Sequence, residues 1–132
     1  MKVLLVDDEP DMLLIVDMAL RKIGGYETVQ VQNPLHVLEI AKRERPDVIL
    51  MDVFMAAMDG PQVLALLAAE PDTCAIPVIF LTGSASPEEA RRLIEMGARG
   101  VIAKPTGPRS MVEQFRSILK TDQMDSTTKC DV

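Results

Sequence analysis

Apolar residues fall into two patterns along the chain. Lys2–Val6, 47–51 after its first residue, and 77–81 are short, nearly unbroken apolar runs. Runs of that length are the signature of strands buried on both faces, as in a parallel sheet. Elsewhere apolar positions recur three and four residues apart, the spacing of one helix face. Met12, Leu13, Ile15, Val16, Met18, Ala19, Leu20 and Ile23 form the first such set, stopped by Gly24-Gly25. Pro10 suits the first turn of that helix, with an Asp or Glu before it to cap the open amides.

The alternation repeats. Glu27–Val31 reads as a strand, and Asn33-Pro34 as cap and first turn of a helix that runs to about Arg45 and is closed by Pro46. After the strand at 47–51 comes a helix at 60–69; after the strand at 77–81, Ser86-Pro87-Glu88-Glu89 starts a helix that ends at Gly97. Gly100–Ala103 is a fifth strand, and Met111, Val112, Phe115, Ile118 and Leu119 mark a last amphipathic helix. Residues 121–132 have no period and read as a flexible C-terminal tail or linker after a domain at 1–120.

Five strands alternating with five helices predict an α/β fold, a doubly wound parallel sheet, because each right-handed crossover lays its helix on one face. With strand order 2-1-3-4-5, ligands bind past the carboxyl ends of the strands where the order reverses.

Composition narrows the function. The 132 residues suit one domain, and 48% hydrophobic with 26% charged is ordinary for a globular chain. A net charge of -6 is a poor basis for binding a polyanion, so no direct nucleic-acid contact is expected. No apolar run approaches the ~20 residues of a membrane helix and the N-terminus lacks a signal-peptide layout, which predicts a cytoplasmic protein with no membrane partner. Cys74 and Cys130 make no disulfide framework and have no ligand spacing for structural zinc.

The residues just past the strand runs are Asp7, Asp8, Asp52, Thr82 and Lys104. Taken singly, each has an ordinary structural reading: a helix cap, a solvated lysine, a turn threonine. Together they converge on one crevice. Three carboxylates side by side repel unless a cation sits among them, and an all-oxygen cluster with room for water suits Mg²⁺. A metal, an ammonium and a hydroxyl around one carboxylate fit a phosphoryl group in transfer, with Asp52 as nucleophile.

From Lys2 to about Lys120 the chain resembles the receiver domain of two-component response regulators, a flavodoxin-like, chemotaxis-regulator-like fold. The resemblance rests on VLLVDDEP, DVILMDVFMAAMDG, PVIFLTG and EMGARGVIAKP in that order. It implies Asp52 as phosphoacceptor, Asp8 as a direct Mg²⁺ ligand, Asp7 as a partner acting through water, and the Phe54 backbone carbonyl as a further ligand. Thr82 and Lys104 would contact the phosphoryl oxygens, and Lys104-Pro105 would be a cis peptide. Three positions depart from the family pattern: Ala56 where Pro is frequent, Thr106 where Phe is usual, and Val101 where an aromatic ring is typical. The implied protein is a signalling phosphoacceptor rather than an enzyme, one that assists its own phosphotransfer and dephosphorylation. Its donor would be a histidine kinase or histidine phosphotransfer protein, and its output a downstream protein partner or effector domain. The alternative is a degenerate receiver acting as a phosphorylation-independent interaction module. A metal-dependent phosphohydrolase would want a second acid beside the nucleophile, and Val53 and Phe54 supply none.

Overall fold

A computed structural model of the protein describes residues 1–83, 86–103 and 107–121. Among these, strands β1 (Lys2–Val6), β2 (Glu27–Val31), β3 (Val48–Asp52), β4 (Val78–Thr82) and β5 (Gly100–Ala103) alternate with helices α1 (Pro10–Met18), α2 (Val37–Glu44), α3 (Gly60–Ala68), α4 (Pro87–Glu95) and α5 (Pro108–Thr121). The strands form one parallel sheet in the order β2-β1-β3-β4-β5, as the sequence pattern predicts. The tail expected at 121–132 lies, past Thr121, outside the described residues.

Alternation within each buried strand divides the core in two. Val3 and Leu5 of β1 join Leu50, Ile79, Leu81 and Ile102 beneath α1 and α5, where Leu13, Val16, Val112 and Phe115 meet them. Leu4 and Val6 join Ile49, Met51 and Phe80 on the other face, covered by Val37 and Ala41 of α2, Val63, Leu64 and Leu67 of α3, and Leu93 of α4. Side chains of successive strand residues point to opposite faces, so an unbroken apolar run supplies both cores at once.

Three details differ from the sequence expectation. β3 and β4 each start and end one residue later than the apolar runs: Asp47 precedes β3, with its Oδ2 accepting from the Lys2 amide at 2.7 Å, while Asp52 and Thr82 stay in register opposite Leu81 and Ala103. The first helix is not α-helical to its end: Ala19–Ile23 is a π turn, in which the Gly24 amide reaches back to the Ala19 carbonyl at 3.2 Å. Its wider turn carries both Ala19 and Leu20 into the core. Glu9 occupies the N-cap position of α1 but its side chain caps nothing; its amide instead donates to Asp7 Oδ1 at 2.9 Å. Asn33 does act as a cap, accepting from the Leu35 amide at 3.0 Å, though onto a short 3-10 turn, Pro34–His36, that leads into α2. No helix among the described residues is long and apolar enough to cross a membrane.

Candidate functional site

The carboxyl ends of β1 and β3 lie side by side at the sheet centre, Val6 opposite Met51. The next residue on β1 is Asp7, whose amide continues the ladder onto the Val31 carbonyl at 3.2 Å, so its backbone is fixed by the sheet. Asp7 is buried, as is Asp52 at the end of β3, while Asp8 is half-buried at the rim. Oxygens from these three carboxylates lie within 4.8 Å of one another.

The β3–α3 loop walls the cluster. Val53 and Met55 turn inward and are buried, which leaves the Phe54 ring outside and 64% exposed. The loop closes where the Gly60 amide donates to the Val53 carbonyl at 2.7 Å. A side chain at Gly60 would stand 2.6 Å from the Phe80 ring and 2.7 Å from the Asp52 carbonyl, so only glycine permits this approach. Beyond it Asp59 and Gln62 form a reciprocal capping box that starts α3. The Ala56 amide donates to Asp8 Oδ2 at 2.8 Å and ties this loop to the β1–α1 connection. An open cleft of about 420 Å³ lies next to Asp8, bordered by Gln32, Asn33, Pro34, Ala56 and Ala57.

Thr82 ends β4 next to β3 and is buried. Lys104, the Lys104-Pro105 peptide and Thr106 lie outside the described residues; the structure brings together Asp7, Asp8 and Asp52, with Thr82 at the end of the adjacent strand. Val101 pairs with Phe80 on β5 and is half-buried against the core under α2, α3 and α4.

The donor set suits a hard cation. Mg²⁺ takes oxygen ligands at about 2.1 Å, and carboxylate oxygens within 4.8 Å of one another are close enough that they could hold it.

One contributor to the site, and one buried acid away from it, escaped the sequence reading. The Ala56 amide is a backbone donor and carries no side-chain signal. Asp17 is a buried acid at the far end of α1, bonded to Arg21 Nε at 2.9 Å and to the Thr28 hydroxyl. Burial alone would raise its pKa, but the hydrogen bonds from Thr28, Arg21 and Gln30 and the Arg21 charge outweigh that and hold the carboxyl below its ordinary value. Its signal was present, since position 17 falls between Leu13, Val16 and Leu20 on the inward helix face.

Comparison with known proteins shows which family and fold the chain shares. The family model of the response regulator receiver domain matches residues 3–116. The polar-differentiation response regulator DivK of Brucella anthropi is 33% identical over 113 residues, which are 86% of this chain and 90% of that protein. The ycf27 regulator of Porphyridium aerugineum is 32% identical over 119 residues, and the chain spans only 48% of its length. Among solved structures, the chemotaxis response regulator CheY4 of Vibrio cholerae superposes with a TM-score of 0.81 at 29% identity, covering 89% of this chain and 97% of that one.

Proposed function

The chain belongs to the response regulator receiver domain family of two-component systems, and from that premise we propose that it is a phosphoacceptor whose acceptor is Asp52. The observation that carries the proposal is the convergence of Asp7, Asp8 and Asp52 at the carboxyl edge of the sheet, with Thr82 at the end of the adjacent strand. Asp52 is the nucleophile: a carboxylate oxygen attacks phosphorus, the N–P bond of a phosphohistidine breaks, and the leaving imidazole keeps the bonding pair and takes up a proton. Asp7, Asp8, Asp52 and the Phe54 carbonyl would hold Mg²⁺, which when bound neutralises charge building on the phosphoryl oxygens. Thr82 donates its hydroxyl to a phosphoryl oxygen, and Lys104 pairs with another. The same groups assist the later hydrolysis of the aspartyl phosphate.

The donor is a histidine kinase or a histidine phosphotransfer protein, the output is altered affinity for a protein partner or effector domain, and the compartment is the cytoplasm. The net charge of -6 disfavours direct contact with nucleic acid. Incubation with a small acyl phosphate and Mg²⁺ should add one phosphoryl group, detectable by intact-protein mass spectrometry. Chelation of the metal, or Asp52→Asn, should abolish the gain. A protein that stays unmodified at millimolar donor and metal is instead a phosphorylation-independent interaction module.

A further inference from the structure

We propose that Cys74 and Cys130 form a redox-switched disulfide that ties segment 122–132 across the end of α4. This is a modification site beyond the phosphoacceptor reading and does not depend on it. Two cysteines are too few for a disulfide framework, yet Cys74 is held in a disulfide, and Cys130 is the chain's other cysteine. In a compartment kept reducing by small thiols, such a bond is transient and redox-sensing rather than a structural staple.

Cys74 lies in the connection between α3 and β4, where hydrogen bonds fix the backbone. Its amide donates to the Glu70 carbonyl at 2.9 Å, and the Ile76 amide closes the following turn onto the Thr73 carbonyl at 3.1 Å. The neighbouring Thr73 is buried with its hydroxyl on the Leu67 carbonyl at 2.7 Å, so half-buried Cys74 is presented from an ordered turn. It borders a cavity of about 250 Å³ walled by Leu64 and Leu67 of α3, Val78 of β4 and Met96 at the end of α4. The last turns of α5 lie at the same end of the sheet. A side chain at Gly100, the first residue of β5, would stand 2.7 Å from Ile118 of α5, and the Arg99 amide just before it donates to the Val78 carbonyl at 2.7 Å. β5 is an edge strand, so chain leaving α5 at Thr121 can pass beneath it to the face that carries α3 and α4. Cys130 lies outside the described residues, but the nine residues 122–130 span up to roughly 30 Å when extended, ample to pass two strands about 4.8 Å apart. The bond forms by exchange with a low-molecular-weight disulfide as oxidant. One cysteine thiolate attacks a sulfur of that disulfide, whose S–S bond breaks to release one thiolate; the other cysteine thiolate then attacks the protein sulfur of the mixed disulfide and expels the second. The two protein thiols give up two electrons and two protons, and the oxidant becomes two small thiols. Because Met96 both ends α4 and walls the cavity, the tied segment covers that end of the helix and reduction uncovers it.

The test equilibrates the full chain in glutathione buffer, once mostly oxidised and once mostly reduced, then quenches with acid and alkylates the remaining thiols. Intact mass counts the alkyl groups, digestion without reductant locates any linked peptides, and hydrogen exchange is followed at the Met96 and Gly97 amides, which are bonded to the Arg92 and Ile94 carbonyls. The reduced sample should take up two alkyl groups, one per cysteine, and the oxidised sample none. The oxidised sample should stay monomeric, yield one peptide pair joining positions 74 and 130, and exchange more slowly at Met96 and Gly97. Cys130→Ser should lose both the link and the slowed exchange. Two alkyl groups in both buffers, glutathione adducts without a link, or a link between two chains overturns the disulfide. A 74–130 link with exchange at Met96 and Gly97 unchanged overturns the covering of α4. The native peptide map decides the linkage even if the serine variant fails to fold.

Discussion

On the proposed Mg²⁺ reading, Asp8 and Asp52 offer charged oxygens to one cation, so removing either oxygen should be felt as lost affinity. Asp8→Ala and Asp52→Asn are each expected to weaken Mg²⁺ binding by about tenfold or more, the loss that even outer-shell partners cause. The chain has no tryptophan to report on the site, so calorimetry or amide shifts are the readout. Phe54 sets a second expectation. Hydrolysis of an aspartyl phosphate needs an oriented water, and an exposed phenyl ring two residues past the acceptor has no group to orient one. Phe54→Asn should shorten the phosphoryl lifetime, and a lifetime unchanged or lengthened would refute that role. Asp17 contributes to acid stability. Its native pKa lies below the unfolded value of about 3.9, so its contribution is complete above that pH and is lost as pH falls through the native value. Asp17→Asn should lower neutral-pH stability in urea unfolding by about 1–3 kcal/mol and flatten the pH dependence below about pH 4. The acidic triad was legible in the sequence because each acid follows a buried apolar run. The Ala56 donor was not, because every residue but proline has an amide and only the fold says where it points.

At the scale of elements, the loop geometry hangs on Gly60. An added Cβ would press on the Phe80 ring and on the last carbonyl of β3, that of Asp52 itself. Gly60→Ala should therefore destabilise by about 1–3 kcal/mol and also weaken Mg²⁺ binding, since the strain is relieved by moving the acceptor strand or the loop. Denaturant unfolding and metal titration on the same variant check both halves. β1, β2 and β5 match their sequence patterns end to end, because glycine, acidic or turn residues bound them. β3 and β4 ran one residue late because a parallel ladder extends as far as its backbone partners allow, and Asp52 and Thr82 still have theirs. The π turn was hidden for a related reason. Apolar spacing shows which face a helix buries, while Ala19 and Leu20, both buried, fit either an α or a wider turn.

For the whole molecule the question is how a change at Asp52 reaches the surface. Val101 stands on β5, half-buried against the core under α2, α3 and α4, at the position where the family resemblance led us to expect an aromatic ring. A branched Cβ limits valine to few rotamers, so it cannot be exposed in one state and buried in another as a ring can. The response should then travel through the end of β4 and α4. Amide shifts on adding a phosphoryl mimic at Asp52 should be largest there, and large shifts centred on β5 and α5 would reveal a different switch. A weakly bistable face also discriminates weakly between partners, because phosphorylation shifts the two states only by its differential interaction with them. Asp52 is the proposed site of modification. Borohydride reduction after treatment with acyl phosphate and Mg²⁺ converts an aspartyl phosphate to an alcohol that peptide mass spectrometry can place in the chain. The account predicts that the alcohol is found at position 52 alone and only when metal was present; its appearance at another residue, or at none, would contradict it.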